Sequence, residues 1–141
     1  MGARSQGRCL CGAVTVNAML GARLRACHCD MCRRHCSGPF FSVETVGDSA
    51  EVTGPVQVFG SSPWAERAFC STCGSTLWYA TLHDKHRNFS AGLFKDAGGA
   101  TLDIEFFADS CPQGYALAGN HQKLTTTETI ALFAPDEGDA K

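Results

Sequence analysis

The sequence predicts a mainly β protein, an antiparallel sheet with one or two short helices. Apolar and polar residues alternate at Val14, Val16 and Ala18, and similar short runs recur along the chain. Such alternation is typical of half-buried strands. Glycine and proline separate the runs, as at Gly54-Pro55, which indicates hairpin turns and leaves little room for long helices.

The other predicted strands lie in the segments PFFSVE, VQVFG, RAFC, TLWYA, NFSAGL and DIEFFA. One helical turn is expected to begin with Asp30 as its N-cap and to carry Cys32 to Cys36, because aspartate is a favoured cap. The segment TTETIALF is compatible with a second helix or a last strand. The fold class is therefore predicted from short strands that glycine and proline residues separate.

The length of 141 residues predicts one domain. We expect residues 1–134 to form that domain. Residues 135–141 are polar, small and acidic, so we expect a disordered tail.

Composition excludes several classes of function. The net charge is -2 and the twelve basic residues are scattered, so the chain lacks the concentrated positive field that nucleic-acid binding needs. No apolar run reaches the roughly 18 residues of a membrane span, and no export signal is recognised. We therefore expect a cytoplasmic protein without nucleic-acid or membrane partners. Its oligomeric state is not predicted.

Nine cysteines carry most of the chemical information. An odd number cannot all pair within one chain, and a reducing compartment favours thiolate metal ligands over disulfides. Two pairs share a detail, because a glycine directly follows the second cysteine in both CLCG and CSTCG. A glycine there permits a tight turn in which backbone amides point at the sulfur.

The spacing of these two pairs suits a single metal ion. Residues i and i+2 of a strand project from one face, and a C-x-x-C turn brings both thiolates together. Four thiolates make a closed tetrahedral zinc site of the structural kind. The predicted ligands are Cys9, Cys11, Cys70 and Cys73.

The segment CHCDMCRRHC holds a cluster of another kind. Cys27, Cys29 and Cys32 follow the pattern C-x-C-x-x-C, and three thiolates leave one zinc position open for water, hydroxide or a substrate thiolate. If Cys36 also binds, the cluster is instead a second closed cage. The spacing leaves both alternatives open, whereas an iron–sulfur cluster fits the C-x-C start less well.

Basic residues follow this cluster directly. Arg33, Arg34 and His35 favour ionised thiols at Cys27 to Cys32, and the arginines can bind carboxylates. The alternative is that they only offset the negative charge of a zinc–thiolate group.

The remaining candidates receive other assignments. His28 is expected to project away from the metal, so that it lies either among the residues that surround the metal ligands or at the surface. His83 and His86 are assigned to a hairpin loop. Cys111 is interpreted as a lone thiol. A core or pocket-wall position is predicted for four aromatic residues: Phe40, Phe41, Trp64 and Trp78.

The cysteine motifs together resemble the family of glutathione-dependent formaldehyde-activating enzymes, which includes the zinc domain of centromere protein V. The motifs that carry this resemblance are GRCLCGAV, CHCDMCRR followed by Gly38, and RAFCSTCGSTL. SAGLFKDA and FFADSCPQGYAL are similar to the family's final segments, so the resemblance covers about residues 7–125. It implies a β-rich, tent-like zinc fold with two zinc ions. The implied ligands are Cys9, Cys11, Cys70 and Cys73 for a structural zinc, and Cys27, Cys29 and Cys32 for a catalytic zinc.

The resemblance also implies an activity, that of a carbon–sulfur lyase. A thiol such as glutathione adds to a small aldehyde such as formaldehyde to give a hemithioacetal, or the reverse. For this reaction we nominate His35 as the proton-transfer group, and we expect Arg33 and Arg34 to bind the carboxylates of glutathione. Two alternatives remain: a non-catalytic zinc module for a small molecule or a protein partner, and a redox or metal-buffer protein that uses Cys36 and Cys111.

Overall fold

A computed structural model describes residues 4–133, and most of its elements are strands. Three 3-10 turns lie at Ala91–Leu93, Lys95–Gly99 and Ala108–Ser110. The strands and helices are, in chain order, β1 (Arg4–Arg8), β2 (Thr15–Cys27), α1 (Asp30–Cys36), β3 (Phe40–Thr45), β4 (Glu51–Thr53), β5 (Val56–Ser62), β6 (Ala65–Cys70), β7 (Thr76–Thr81), β8 (Arg87–Ser90), β9 (Thr101–Phe106), β10 (Gln122–Lys123) and α2 (Thr126–Phe133).

The mainly β prediction is confirmed. Each segment predicted as a strand contains one, and TTETIALF forms helix α2. The predicted disordered tail, residues 135–141, lies outside the described residues. Neither helix in the described part of the chain has the length and apolar character of a membrane-spanning segment.

Backbone contacts divide the chain into two compact units. The first comprises the described parts of Met1–Leu24 and Phe41–Thr101, and the second comprises those of Arg25–Phe40 and Leu102–Lys141. The assignment of residues 1–134 to one domain stays a prediction.

The first unit is built on antiparallel strand pairs. β1 and β4 both pair with β2, β3 pairs with β8, and β8, β7, β6 and β5 follow one another in the sheet. Val16, Ala18 and Leu20 alternate along β2 and are buried in the core of this unit, with Leu77 and Phe89. Burying one such Leu or Phe side chain is worth about 1.5–3 kcal/mol. The predicted alternation is thus what packs this core.

The aromatic predictions are confirmed in part. Phe40 and Trp78 are 6% and 8% exposed, and Phe41 is partly buried. The prediction is wrong for Trp64, whose side chain is 63% exposed. Trp64 belongs to the tight turn between β5 and β6, so it projects into solvent instead of following the strand alternation.

The second unit contains α1, most of β9, β10 and α2. β10 pairs with β9 in parallel, and Ile104 and Phe106 of β9 are buried. The ring of Phe106 meets that of Phe133 edge to face with centroids 5.1 Å apart. The buried Thr129 hydroxyl accepts a hydrogen bond from the Phe107 amide at 3.0 Å. An apolar contact and a polar contact therefore join helix α2 to the end of β9 and the residue that follows it.

Candidate metal centres

The first unit brings four predicted ligands together. The sulfurs of Cys9, Cys11, Cys70 and Cys73 all lie within 4.8 Å of one another. The Sγ of Cys11 is 3.7 Å from that of Cys9 and 3.9 Å from that of Cys70. Four clustered thiols are a donor set that could hold a metal ion.

Backbone amides point at these sulfurs, as predicted. The amides of Ala13 and Val14 donate to the Sγ of Cys11 and Cys9 at 3.4 and 3.3 Å. The amides of Thr72 and Cys73 both donate to the Sγ of Cys70 at 3.4 Å. Such donors compensate the negative charge of thiolates and orient them toward a common centre.

Two glycines with positive φ follow the cysteine pairs. Gly12 has a φ of 84° and Gly74 a φ of 80°. Their amides donate to the carbonyl groups of Cys9 and Cys70, which closes a tight turn at each pair. The expectation that Cys9 and Cys11 lie along a strand is wrong, because β1 ends at Arg8 and the left-handed Gly12 closes a turn there.

The ionisation of these thiols fits a cation. A hydrogen bond from the Ser75 hydroxyl, with backbone amides, lowers the pKa of the Cys73 thiol to about 5. The Ala13 amide lowers the pKa of Cys11, but burial and the neighbouring sulfurs outweigh it and raise that pKa to about 11. Four sulfurs this close therefore do not all ionise unless a cation shares their charge.

The second unit brings three further cysteines together. Cys27 ends β2, Cys29 precedes α1 and Cys32 lies within α1, and their sulfurs all lie within 4.8 Å of one another. Cys36 is the last residue of α1. In the described part of the chain, residues 4–133, its sulfur is not a member of this cluster. Its Sγ lies 3.9 Å from the Nδ1 of His35. The geometry thus favours the three-ligand cluster over the closed four-cysteine cage.

A sulfur begins the helix that carries Cys32. Cys29, and not Asp30, is the N-cap of α1, and its Sγ accepts a hydrogen bond from the Cys32 amide at 3.4 Å. The predicted cap is wrong because the extended backbone of Cys29 points a sulfur acceptor at the first turn. Asp30 lies in that turn and forms an ion pair with Arg33. The N-terminus of α1 and the three-cysteine cluster therefore share two residues, Cys29 and Cys32.

Cys27 is half-buried among its neighbours. Hydrogen bonds with the sulfurs of Cys29 and Cys32, followed by burial, raise the pKa of the Cys27 thiol well above its ordinary value. As in the first cluster, three thiolates this close require a cation. Two cysteine clusters of this protein could therefore hold metal ions.

A buried carboxylate lies between two histidines in the second unit. The Oε1 of Glu105 is 2.7 Å from the Nε2 of His28, and its Oε2 is hydrogen-bonded to the Nε2 of His121. Burial raises the pKa of the Glu105 carboxyl, but the two histidine bonds outweigh it, so the pKa lies below its ordinary value. His28 is fully buried, which excludes the surface position considered for it.

The two arginines lie on α1 and differ in their contacts. Arg33 donates from Nε to the carbonyl oxygen of His28 at 3.0 Å and pairs with Asp30. Arg34 is exposed and makes no hydrogen bond or ion pair with another described residue. Both line an open pocket of about 370 Å³. The other residues that line it are Ser37, Gly38, Pro39, Pro112 and Tyr115.

The remaining predicted residues take minor positions. His83 and His86 lie in the loop between β7 and β8, as predicted, and pair with Asp84 and Glu44. The Cys111 thiol makes a weak contact, 3.7 Å from the carbonyl oxygen of Tyr115.

The family model described as "Glutathione-dependent formaldehyde-activating enzyme" matches residues 4–110. The chain belongs to this family. The matched range contains both cysteine clusters of this family member. The resemblance inferred from the cysteine motifs is thereby confirmed.

Two curated relatives are similar to this family member. An "Uncharacterized lyase" of Schizosaccharomyces pombe is 35% identical over 128 residues, which is 89% of this chain and 93% of the relative. A "Putative glutathione-dependent formaldehyde-activating enzyme" of Halomonas elongata is 32% identical over 84 residues, and the alignment covers 52% of this chain and 54% of that relative.

A solved structure supports the fold of the family member. The crystal structure of a Rhodobacter sphaeroides protein superimposes with a TM-score of 0.55, covers 84% of this chain and 99% of that chain, and shares 18% sequence identity. At this identity the likeness concerns the fold alone.

Proposed function

We propose that the protein is a zinc-dependent, carbon–sulfur lyase-type enzyme that handles adducts of glutathione, or another thiol, with a small aldehyde such as formaldehyde. One observation carries the proposal: three clustered sulfurs, and not four, lie before and within α1, and the same helix contributes two arginines to an open pocket. Family membership and the names of the two relatives support the thiol and aldehyde class.

The two clusters are proposed to serve different purposes. Cys9, Cys11, Cys70 and Cys73 would hold a structural zinc ion, because four protein ligands leave no position for a substrate. A second zinc ion at the three-cysteine cluster would supply a position that keeps a substrate sulfur ionised near neutral pH, since three thiolate ligands make it a poor activator of carbonyl groups.

The reaction forms one bond between the thiol sulfur and the aldehyde carbon. The carbonyl π bond breaks, and the proton that leaves the sulfur ends on the new hydroxyl oxygen; the reverse reaction returns it. His35, half-buried on α1, is the proposed carrier of this proton. Arg34 is proposed to bind a carboxylate of the thiol substrate, because its guanidinium lines the pocket without an ion-pair partner among the described residues.

The test compares two cysteines of the same helix segment. We expect Cys29→Ser to lower the zinc content from two ions per chain to one and to abolish thiol-adduct turnover, with an unchanged far-ultraviolet circular dichroism spectrum. Cys36→Ser is the matched control and should keep both ions and the turnover. Zinc is counted on protein purified without chelator, and turnover is followed with glutathione and formaldehyde.

Two results would contradict the proposal. Loss of one zinc ion in Cys36→Ser would mean that the second cluster is a closed cage. A wild-type protein with two zinc ions but no effect on the rate of adduct formation or breakdown would instead favour the alternative of a non-catalytic binding module.

A further inference from the structure

Glu105 occupies an unusual position for a carboxylate. It lies on β9, is 3% exposed, and has each of its oxygens within hydrogen-bonding reach of a different histidine ring. Burying a carboxylate costs more free energy than burying an apolar side chain of similar size. Fold stability alone therefore gives no reason for a glutamate at this position.

Its first partner, His28, stands between two of the clustered cysteines. The backbone of His28 is fixed at two points, because its amide donates to the Phe106 carbonyl at 3.0 Å and its carbonyl accepts from Arg33 at 3.0 Å. The contact with Glu105 at 2.7 Å fixes the ring as a third point. Two adjacent residues of β9, Glu105 and Phe106, thus hold the residue that links Cys27 to Cys29.

The second histidine keeps the carboxylate in place. The His121 side chain is 1% exposed. Its Nε2 is hydrogen-bonded to the Oε2 of Glu105, which is the oxygen that His28 does not contact. With both oxygens engaged, rotation of the carboxylate about its last bond would break two buried hydrogen bonds at once, which is costly. The orientation of the His28 ring is therefore set by a group that is itself fixed.

We propose that Glu105 is a positioning residue that, through His28, holds the turn of Cys27, Cys29 and Cys32 in the arrangement that binds a metal ion. The inference rests on the proposed function in one respect, that these three cysteines are metal ligands. Glu105 would act at a distance from the metal, as the outer partners of metal ligands do when they orient the groups that bind.

The experiment measures metal release from the full-length, zinc-loaded protein. A chromogenic zinc chelator in excess reports the rate at which each ion leaves. Glu105→Gln keeps the volume and removes the charge, and His28→Leu removes the ring donor. His28→Gln is the conservative variant, since its amide nitrogen lies the same number of bonds from the backbone as Nε2. Glu44→Gln is the matched control, because Glu44 also pairs with a histidine, His86, in the first unit.

We expect Glu105→Gln and His28→Leu to release one of the two zinc ions about 10-fold faster or more, while the other ion leaves at the wild-type rate. His28→Gln should restore most of the retention, and Glu44→Gln should behave as wild type. Replacement of zinc by Co²⁺ adds a spectroscopic readout, in which the visible absorption of one of the two ions should change in Glu105→Gln.

Three results would overturn the inference. The first is release of both ions at wild-type rates in Glu105→Gln and His28→Leu. The second is equally fast loss of both ions, which would indicate a general role in folding. If Glu105→Gln does not fold, the two His28 variants decide the question. The third result is then an equal rate of zinc release from His28→Leu and His28→Gln. Failure of the proposed function is distinguishable, because a wild-type count of one zinc ion or an absence of turnover is measured without any Glu105 or His28 variant.

Discussion

Two adjacent residues of identical chemistry, directly after the last cysteine of the second cluster, differ in their contacts. The guanidinium of Arg33 binds within its own segment, because it donates to the carbonyl oxygen of His28 and forms an ion pair with the carboxylate of Asp30. Arg34, one residue later on α1, faces the pocket and is exposed. The sequence does not distinguish the two arginines, because spacing does not reveal which guanidinium already has partners within the fold.

This difference gives a prediction for the pair. Arg34→Ala should raise the KM for the glutathione adduct about 10-fold or more while both zinc ions are retained, since a lost charge-assisted hydrogen bond is worth about 1.5–3 kcal/mol. Arg33→Ala should instead speed the release of one zinc ion, because it frees the His28 carbonyl. Steady-state kinetics and zinc release on the same preparations separate the effects. An unchanged KM in Arg34→Ala would remove this residue from the substrate site.

At the scale of elements, the N-terminus of α2 is tied to the turn after β9. The carboxylate of Asp109 accepts hydrogen bonds from both the amide and the hydroxyl of Thr126, each at 2.8 Å. The Thr126 hydroxyl and amide outweigh a smaller effect of desolvation and lower the pKa of the exposed Asp109 carboxyl below its ordinary value of 3.8. An ionised Asp109 carboxylate therefore contributes to holding the first residue of α2.

The pH dependence of this tie follows from the direction of that shift. A lowered folded-state pKa means that the stabilising contribution is present above the ordinary value of 3.8 and is lost as pH falls through the folded pKa. We expect the Thr126 amide resonance to move in that acidic range in a nuclear magnetic resonance titration. Asp109→Asn should abolish this step, and a step that persists in Asp109→Asn would assign it to another group.

Elements differed in how far the sequence could predict them. Strands with an apolar face, such as β2 and β7, were predicted because alternation is a local property. β1 and β4 were missed: they contain few apolar residues, and their pairing with β2 makes them strands. The start of α1 was placed on Asp30, because cap preferences describe oxygen acceptors and here a cysteine sulfur accepts the bond.

At the scale of the whole molecule, each compact unit contains one cysteine cluster. Local spacing predicted the members of both clusters, because C-x-C and C-x-x-C turns bring sulfurs together within a few residues. Glu105 and His121 could not be predicted in the same way. Glu105 is 77 residues from His28 in the chain, and such a contact exists only once the strands are arranged.

The cluster of the first unit should dominate the stability of that unit. Cys70 is fully buried, and its Sγ receives two amide hydrogen bonds. We expect Cys70→Ser to lower the free energy of unfolding by about 3 kcal/mol or more, which shifts the urea midpoint by more than about 1 M. Circular dichroism during urea titration measures this shift. Cys111→Ser, outside both clusters, is the control, and equal midpoints for the two variants would contradict the structural role of the first cluster.

The two tryptophans of the chain both belong to the first unit. The Trp78 ring is buried, with the Arg87 guanidinium 5.1 Å from its centroid, whereas Trp64 is largely exposed. Intrinsic emission should therefore combine a blue component shielded from iodide and a red component that iodide quenches. The emission of both indoles therefore reports on the first unit. Opening of the three-cysteine turn in the second unit is followed more directly by a zinc-sensitive dye or by the visible absorption of bound Co²⁺.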